Sequence, residues 1–330
     1  MTNDQIPHGG GTRGRASDGP SRSRKSIGAE SDDVDCRQPP ASRRAIAVRS
    51  SRSSRRSDDA STANRVSFRD VGLVIVTAAS SNHFGPLCYL LESLRVCEAR
   101  VECYDIGLTD EEVDALPRWA GLFYHKFDFA SHPAHMDVSV NAGEYAWKPV
   151  IVAEVVERIR RDGAVDDVLW ADAGSYFHAL EPIAARIRAS DGLWVRPSSG
   201  TMRDWTHPLM FEHLDADGSA YADRRNADAT LVGFSTGSAA PAIRERVYRD
   251  IIVPWKACAM TRDCIAPRGS SRRNHRQDQA VLSYLTHKTG FAFAADTRAE
   301  IGVRCKCDRW FYHYIGFTLP APVYARCCLY

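Results

Sequence analysis

Between residues 71 and 114 the hydrophobic pattern switches between the strand and helix periods. Val71-Gly72-Leu73-Val74-Ile75-Val76-Thr77 is a continuous apolar run of strand length, as expected of a strand covered on both faces. Ala78 to Asn82 is small and polar, a loop. From Phe84 to Val96, Leu87, Leu90, Leu91 and Leu94 recur at helical spacing. Ala99 to Tyr104 reads as a second strand, with Asp105 to Leu108 as its exit loop. Thr109-Asp110-Glu111-Glu112 carries the capping pattern of a helix start. Strand, helix, strand, helix in this order requires a parallel sheet with right-handed crossovers. The fold class is therefore α/β.

The same alternation continues. Gly121 to Phe127 reads as a third strand and Ala130 to Glu144 as a loop. Pro149 sits in the first turn of a helix running from Val150 to Arg161, where its missing N–H is harmless. Val168-Leu169-Trp170 is a short buried strand, followed by strands at Trp194 to Arg196 and Thr230 to Ser235. Thr201 to Asp217 reads as a loop with a short helix. Ala240 to Lys256 is helical, 258–275 is a long basic loop, and Gln277 to His287 is a helix. Aromatic strand and loop follow, and there are no internal repeats.

Charge is unevenly placed. Residues 1–66 hold 13 Lys and Arg against eight Asp and Glu and contain no aromatic residue. Such a segment cannot bury enough surface to offset chain entropy, so 1–66 reads as a disordered Arg/Ser-rich arm. Its sharper reading is a targeting or polyanion-binding arm. The aspartates Asp32, Asp33, Asp35, Asp58 and Asp59 speak against a transit peptide. The remaining residues carry 30 basic and 33 acidic side chains, which gives no reason to expect a nucleic-acid partner. No apolar run of about 18 residues marks a membrane span, and no apolar signal core lies near Met1. The compartment is not set by the sequence; the cytoplasm is the default, with the secretory pathway and organelles open. Among ten cysteines, Cys88, Cys97 and Cys103 fall in core segments as small hydrophobes. Cys305-Lys306-Cys307 and Cys327-Cys328 lack zinc-knuckle spacing, and no disulfide framework is legible.

Five stretches carry candidate chemistry, all at strand exits or helix starts. Asp172 follows Val168-Leu169-Trp170 at the C-terminal lip of a buried strand. A carboxylate there needs a cation or donors to meet it, and that lip is where ligands bind in open α/β sheets. It is either a ligand contact or the cap of the next turn. Thr77-Ala78-Ala79 offers close backbone approach to a flat ring, or ordinary tight packing. Asp105 can accept from sugar hydroxyls or a base N–H, or close an Asx turn. Lys148, before a helix, suits a phosphate; otherwise it is a surface lysine beside a core Trp147. Asp278 can cap the last helix or orient an acceptor hydroxyl.

TAASSNHFGPLCYLLESL, VECYDIGL, YAWKP, VLWADAG and HRQDQAVLSYL occur in this order. The ordered set resembles nucleotide-sugar glycosyltransferases of the GT-A fold over about residues 70–318. It is distantly similar to the glycogenin and lipopolysaccharide glycosyltransferase group. The resemblance implies a GT-A-like Rossmann-type α/β/α sandwich with a mostly parallel central sheet over 67–330. It also implies a nucleotide-diphospho-sugar donor, a glycan, protein or small-molecule acceptor, and Mn²⁺ or Mg²⁺ held by a D-x-D motif. Asp172 stands at the first aspartate of that motif, but Gly174 stands at the second. One carboxylate does not build the usual oxygen grip on a metal.

The roles that follow make Asp172 and Asp278 the catalytic pair. Asp172 meets metal or donor, with His313 as a distant metal ligand. Lys148 meets the diphosphate beside Trp147, and Thr77, Ala78 and Asp105 meet the nucleoside. Trp205 and His207 lie in a loop over the acceptor side. Two further readings stand beside this one. The first is a nucleotide-sugar-binding protein without catalysis, as Gly174 suggests. The second is a non-enzymatic interaction protein working through its basic arm.

Overall fold

A computed structural model describes residues 72–305. The arm with its boundary at 66/67, Cys307, Cys327, Cys328 and the expected metal ligand His313 lie outside the described residues.

Strand β1 (Leu73–Ala79) leads through helix α1 (Phe84–Val96) to β2 (Arg100–Asp105). Helix α2 (Asp110–Asp114) and β3 (Leu122–Lys126) follow. The Thr109 capping box forms as its sequence requires, with Glu112 N–H donating to Thr109 Oγ1 at 3.2 Å. Helix α3 (Trp147–Arg161) precedes β4 (Asp167–Ala171), β5 (Ser175–Phe177), α4 (Glu181–Arg188) and β6 (Leu193–Thr201). Short helices α5 (Met202–Trp205) and α6 (Pro208–His213) come before β7 (Arg225–Phe234). Then follow α7 (Pro241–Val247), α8 (Val253–Ala259), α9 (Arg262–Ile265), α10 (Gln277–Lys288) and β8 (Val303–Cys305).

The main sheet has six strands in the order β3-β2-β1-β4-β7-β6. Strands β3, β2, β1 and β4 are mutually parallel, and β7 is antiparallel to both β4 and β6. β5 and β8 form a separate antiparallel pair. This is the α/β class with a mostly parallel sheet expected from the alternation. Strand alternation divides the core into two layers. Val74, Val76, Val168 and Trp170 pack with Val150, Ile151, Trp255 and Val281 of α3, α8 and α10. Leu73, Ile75, Leu169 and Ala171 pack with Leu87, Leu91 and Ile183 of α1 and α4. Each large apolar side chain so buried contributes about 1.5–3 kcal/mol.

Three local expectations change. Ala78 and Ala79 belong to β1 rather than to the loop, because they stay in register with Tyr104 and Asp105. β7 starts at Arg225, ahead of Thr230, where it pairs with a bulged β6 around Pro197 and Thr201. The helix expected over Ala240–Lys256 contains a π-helical turn at Tyr248–Ile252. Pro254 explains the turn: it has no amide to close an α-turn on Asp250. A disulfide joins Cys258 to Cys264, with Cα atoms 5.2 Å apart. This was not legible, since a six-residue spacing matches no framework. Among the described residues no helix is long and apolar enough to cross a membrane.

Candidate active site

The four parallel strands all end at one edge, at Ala79, Asp105, Lys126 and Ala171. Asp172 is the first residue past β4, and its amide donates to Thr230 O of β7 at 2.9 Å. Helix α3 starts beneath this edge and brings Lys148 in from one layer. Helix α10 starts there too and brings Asp278.

These three side chains meet. Lys148 Nζ lies 3.1 Å from Asp172 Oδ1 and 3.0 Å from Asp278 Oδ2. It also donates to Ala229 O at 3.2 Å and stands 5.3 Å over the Trp170 ring. An ammonium has three N–H groups, and three acceptors surround this one. Trp170 Nε1 donates to Asp172 Oδ1 at 2.7 Å. Lys148 is 3% exposed and Asp278 5%, whereas the Asp172 side chain is 38% exposed. Oδ1 of Asp172 takes both protein donors, so Oδ2 is the oxygen this half-open side chain can offer to a ligand.

Burial alone would lower the Lys148 pKa, but Asp172 and Asp278 more than reverse it and hold the ammonium above the ordinary lysine range. For Asp278 burial is the largest influence and pushes its pKa up; Lys148 offsets only part of that, and the Asp172 charge adds to it. Asp278 Oδ2 is in ion-pair contact with Lys148 yet makes no aligned hydrogen bond. The triad therefore holds one ammonium against two carboxylates, and burial makes the Asp278 carboxyl easier to protonate than an ordinary aspartate.

The segment entering α3 is strained. Asn141, Ala142, Gly143, Glu144 and Tyr145 all have positive φ, between 49° and 62°. A left-handed turn costs about 1–2 kcal/mol per non-glycine residue. At Gly143 a Cβ would collide with the Met136 carbonyl. What the turn secures is visible in its contacts. Ala142 O accepts from Trp147 Nε1 at 3.0 Å. Glu144, itself buried, accepts from Asn141 Nδ2 and from Gln277 Nε2, each at 3.2 Å. Gln277 also has positive φ, 37°. Strain of this kind persists where surrounding structure over-determines it, commonly at functional sites. Here it locks the start of α3 to the start of α10, and so Lys148 to Asp278.

The other sequence-derived candidates lie as follows. Trp147 is buried in the core beside Trp170, ring centroids 6.1 Å apart. Ala78 lies in the layer of Lys148 and Trp170. Thr77 and Asp105, by strand alternation, face the α1 layer. Thr77 Oγ1 is buried without a hydrogen-bond partner. Asp105 Oδ1 accepts from Gly107 N and Leu108 N at 2.7 and 2.6 Å, and Oδ2 from Tyr124 OH at 2.8 Å, so its carboxylate closes the turn. Trp205 and His207 stand by α10: Trp205 O accepts from Arg276 N at 3.0 Å, and the His207 amide donates to His275 Nδ1 at 3.2 Å. Trp170, Glu144 and Gln277 were not singled out from the sequence, and only the proximity of Trp170 to Asp172 hinted at one of them.

The described residues do not fit a divalent cation. Gly174 supplies no ligand, and Asp172 Oδ1 and Asp278 Oδ2 face an ammonium. Among the described residues no group of three or more His, Cys, Asp and Glu side chains is arranged to hold a metal. A cavity of about 260 Å³ between Arg160, Thr236 and Glu245 lies at the far end of α3, about 18 Å along the helix from Lys148.

No family model and no curated protein matches the chain. Among solved structures, the chain is similar to the galactosyltransferase LgtC in complex with donor and acceptor sugar analogs. That match has 13% identity over 77% of this chain and 99% of the other, with a TM-score of 0.45. An active-site mutant of LgtC matches at 14% identity over the same shares and at the same TM-score. The bifunctional glycosyltransferase WbbM matches at 11% identity over 65% of this chain and 37% of its own, with a TM-score of 0.41.

Proposed function

We propose that the protein is a glycosyltransferase that moves a sugar from a nucleotide-diphospho-sugar to an acceptor hydroxyl. The observation that carries this reading is the convergence of Asp172, Lys148 and Asp278 at the C-terminal edge of the parallel strands. In the proposed scheme the nucleoside lies against the ends of β1 and β2, near Ala78 and the Asp105 turn. Asp172 Oδ2 accepts hydroxyls of the transferred sugar. Asp278 and Lys148 act from beneath: Lys148 fixes the Asp172 carboxylate, and the pair keeps a defined charge beside the reacting carbon. The bond from the anomeric carbon to the diphosphate oxygen breaks with its electron pair going to that oxygen, a bond to the acceptor oxygen forms, and the acceptor proton passes to the leaving diphosphate. Lys148 was expected to meet the diphosphate directly. Its three acceptors and burial favour instead the role of a positioning residue.

A panel of nucleotide sugars screened by thermal unfolding, with and without Mn²⁺, tests the reading. A true donor at about 100 times its Kd adds about 2.7 kcal/mol of stability; no response to any nucleotide sugar contradicts it. Gly174 favours a second reading, a nucleotide-sugar-binding protein without catalysis, which predicts the same stabilisation but no turnover.

A further inference from the structure

The basic, Cys-containing loop between α8 and α10 has no part in the scheme above. Residues 258–276 contain Arg262, Arg268, Arg272, Arg273 and Arg276 against a single acid, Asp263. The loop is held firmly although it has little regular structure. The Cys258–Cys264 disulfide closes one end. His275, fully buried, pins the other: its Nε2–H donates to Ile265 O at 2.9 Å while Nδ1 accepts from the His207 amide. Asn274 bonds Ser271 N and Gly269 O at 2.7 and 3.2 Å.

Two of the guanidinium groups are positioned by aromatic faces. Arg276 lies 4.1 Å over the Trp205 ring. Arg272 lies 5.3 Å over the Tyr145 ring and donates from Nη1 to Tyr145 OH at 2.8 Å. Among the described residues, neither has a carboxylate within ion-pair distance, in contrast to Arg100, Arg160 and Arg298. Both sit at the rim of the candidate site. Arg276 is two residues from Asp278, and Tyr145 is three residues before Lys148. Trp205 follows β6, so this rim lies on the β7–β6 side of Asp172, away from β1 and β2.

We propose that Arg272 and Arg276 bind an oxyanion carried by the acceptor, so that the acceptor is an acidic sugar bearing carboxylate or sulfate. The proposal rests on the transferase reading for the word acceptor. A planar guanidinium stacked on an aromatic ring and free of protein carboxylates presents a fork matched to an oxyanion. The donor's diphosphate is the competing anion; in the scheme above it links the nucleoside by β1 and β2 to the sugar at Asp172, on the β1 side of this rim.

The test measures binding of trigalacturonate, its uncharged methyl ester and a sulfated galactotriose to the full chain and to R272A/R276A. Trigalacturonate, the sulfated sugar or both are expected to bind the wild type about tenfold more tightly than the ester, which corresponds to one charge-assisted contact. Whichever of the two binds identifies the oxyanion. The double variant is expected to lose the preference while its thermal unfolding is unchanged. Equal binding of all three sugars, or a preference that survives in the variant, overturns the proposal. So does inorganic pyrophosphate binding the same arginines more tightly than the sugars, which would assign them to the donor. Failure of the transferase reading has a separate signature, the absence of nucleotide-sugar binding.

Discussion

Replacing Lys148 with methionine removes the single buried cation from between two carboxylates, Asp278 buried and Asp172 half-open. Asp172 keeps the Trp170 indole and is half-open to water. Asp278 is 5% exposed and is left with no counter-ion. Breaking one partner out of a buried ion pair costs about 3–5 kcal/mol. A second estimate agrees: Asp278 can escape by taking a proton, and at pH 7, about three units above an ordinary aspartate, that costs about 4 kcal/mol. The loss is a large part of the 5–15 kcal/mol typical of a folded domain. Urea unfolding followed by fluorescence measures it, with m unchanged if only the native state is affected. The sign with pH is fixed. In the variant the folded-state pKa of Asp278 lies above its unfolded value, so the penalty is present at neutral pH and fades as pH falls, by about 1.4 kcal/mol per unit. K148M/D278N, which removes the buried charge as well, is expected to recover half or more of the loss. A K148M variant that loses less than about 1 kcal/mol, with no added pH slope, refutes the picture of a buried cation clamped between one buried and one half-open acid.

Three other outcomes follow from the same geometry. Burial depresses the His275 pKa to about 4 from 6.5, so its contribution is intact above pH 6.5 and is lost as pH falls toward 4. The total is about 3 kcal/mol; pH-dependent unfolding should show that slope, and H275N should lack it. Reducing Cys258–Cys264 should lower stability by about 2 kcal/mol, the closure entropy of so short a loop, measured by unfolding with and without dithiothreitol alongside a thiol count. Because the described residues do not fit a divalent cation, donor binding by titration calorimetry should persist in excess EDTA; strict dependence on Mn²⁺ would contradict that fit.

The sequence exposed the part of the fold that depends on local pattern. The apolar runs at 71–77 and 168–170 and the leucine spacing from Leu87 to Leu94 locate strands and a helix with little tertiary help. The direction of β7 and β6 was not legible, because a run such as Thr230 to Ser235 is equally apolar whichever way it pairs. For the site, Asp172 stands out because a carboxylate at a buried strand's exit needs a partner, Lys148 because a lysine at a helix start suits a phosphate, and Asp278 because a carboxylate there caps a helix or orients a hydroxyl. That the partners are one another is decided by the tertiary fold. So is the burial of Lys148, which in sequence looks like any lysine preceding a helix. The left-handed turn at Asn141–Tyr145 leaves only Gly143 as a trace, since Ala142, Glu144 and Tyr145 are held there by contacts with Trp147 and Gln277 rather than by their own preferences. Glu144 and Gln277 were invisible for the same reason.

The most direct measurement is release of nucleoside diphosphate from the stabilising nucleotide sugar, comparing the wild type with D172N at matched folded fraction. The wild type is expected to turn the donor over, and D172N to be slower by about 100-fold, equivalent to about 2.7 kcal/mol of lost transition-state stabilisation. Equal rates in the two proteins would take the Asp172 carboxylate, and with it the cluster around Lys148, out of the chemistry.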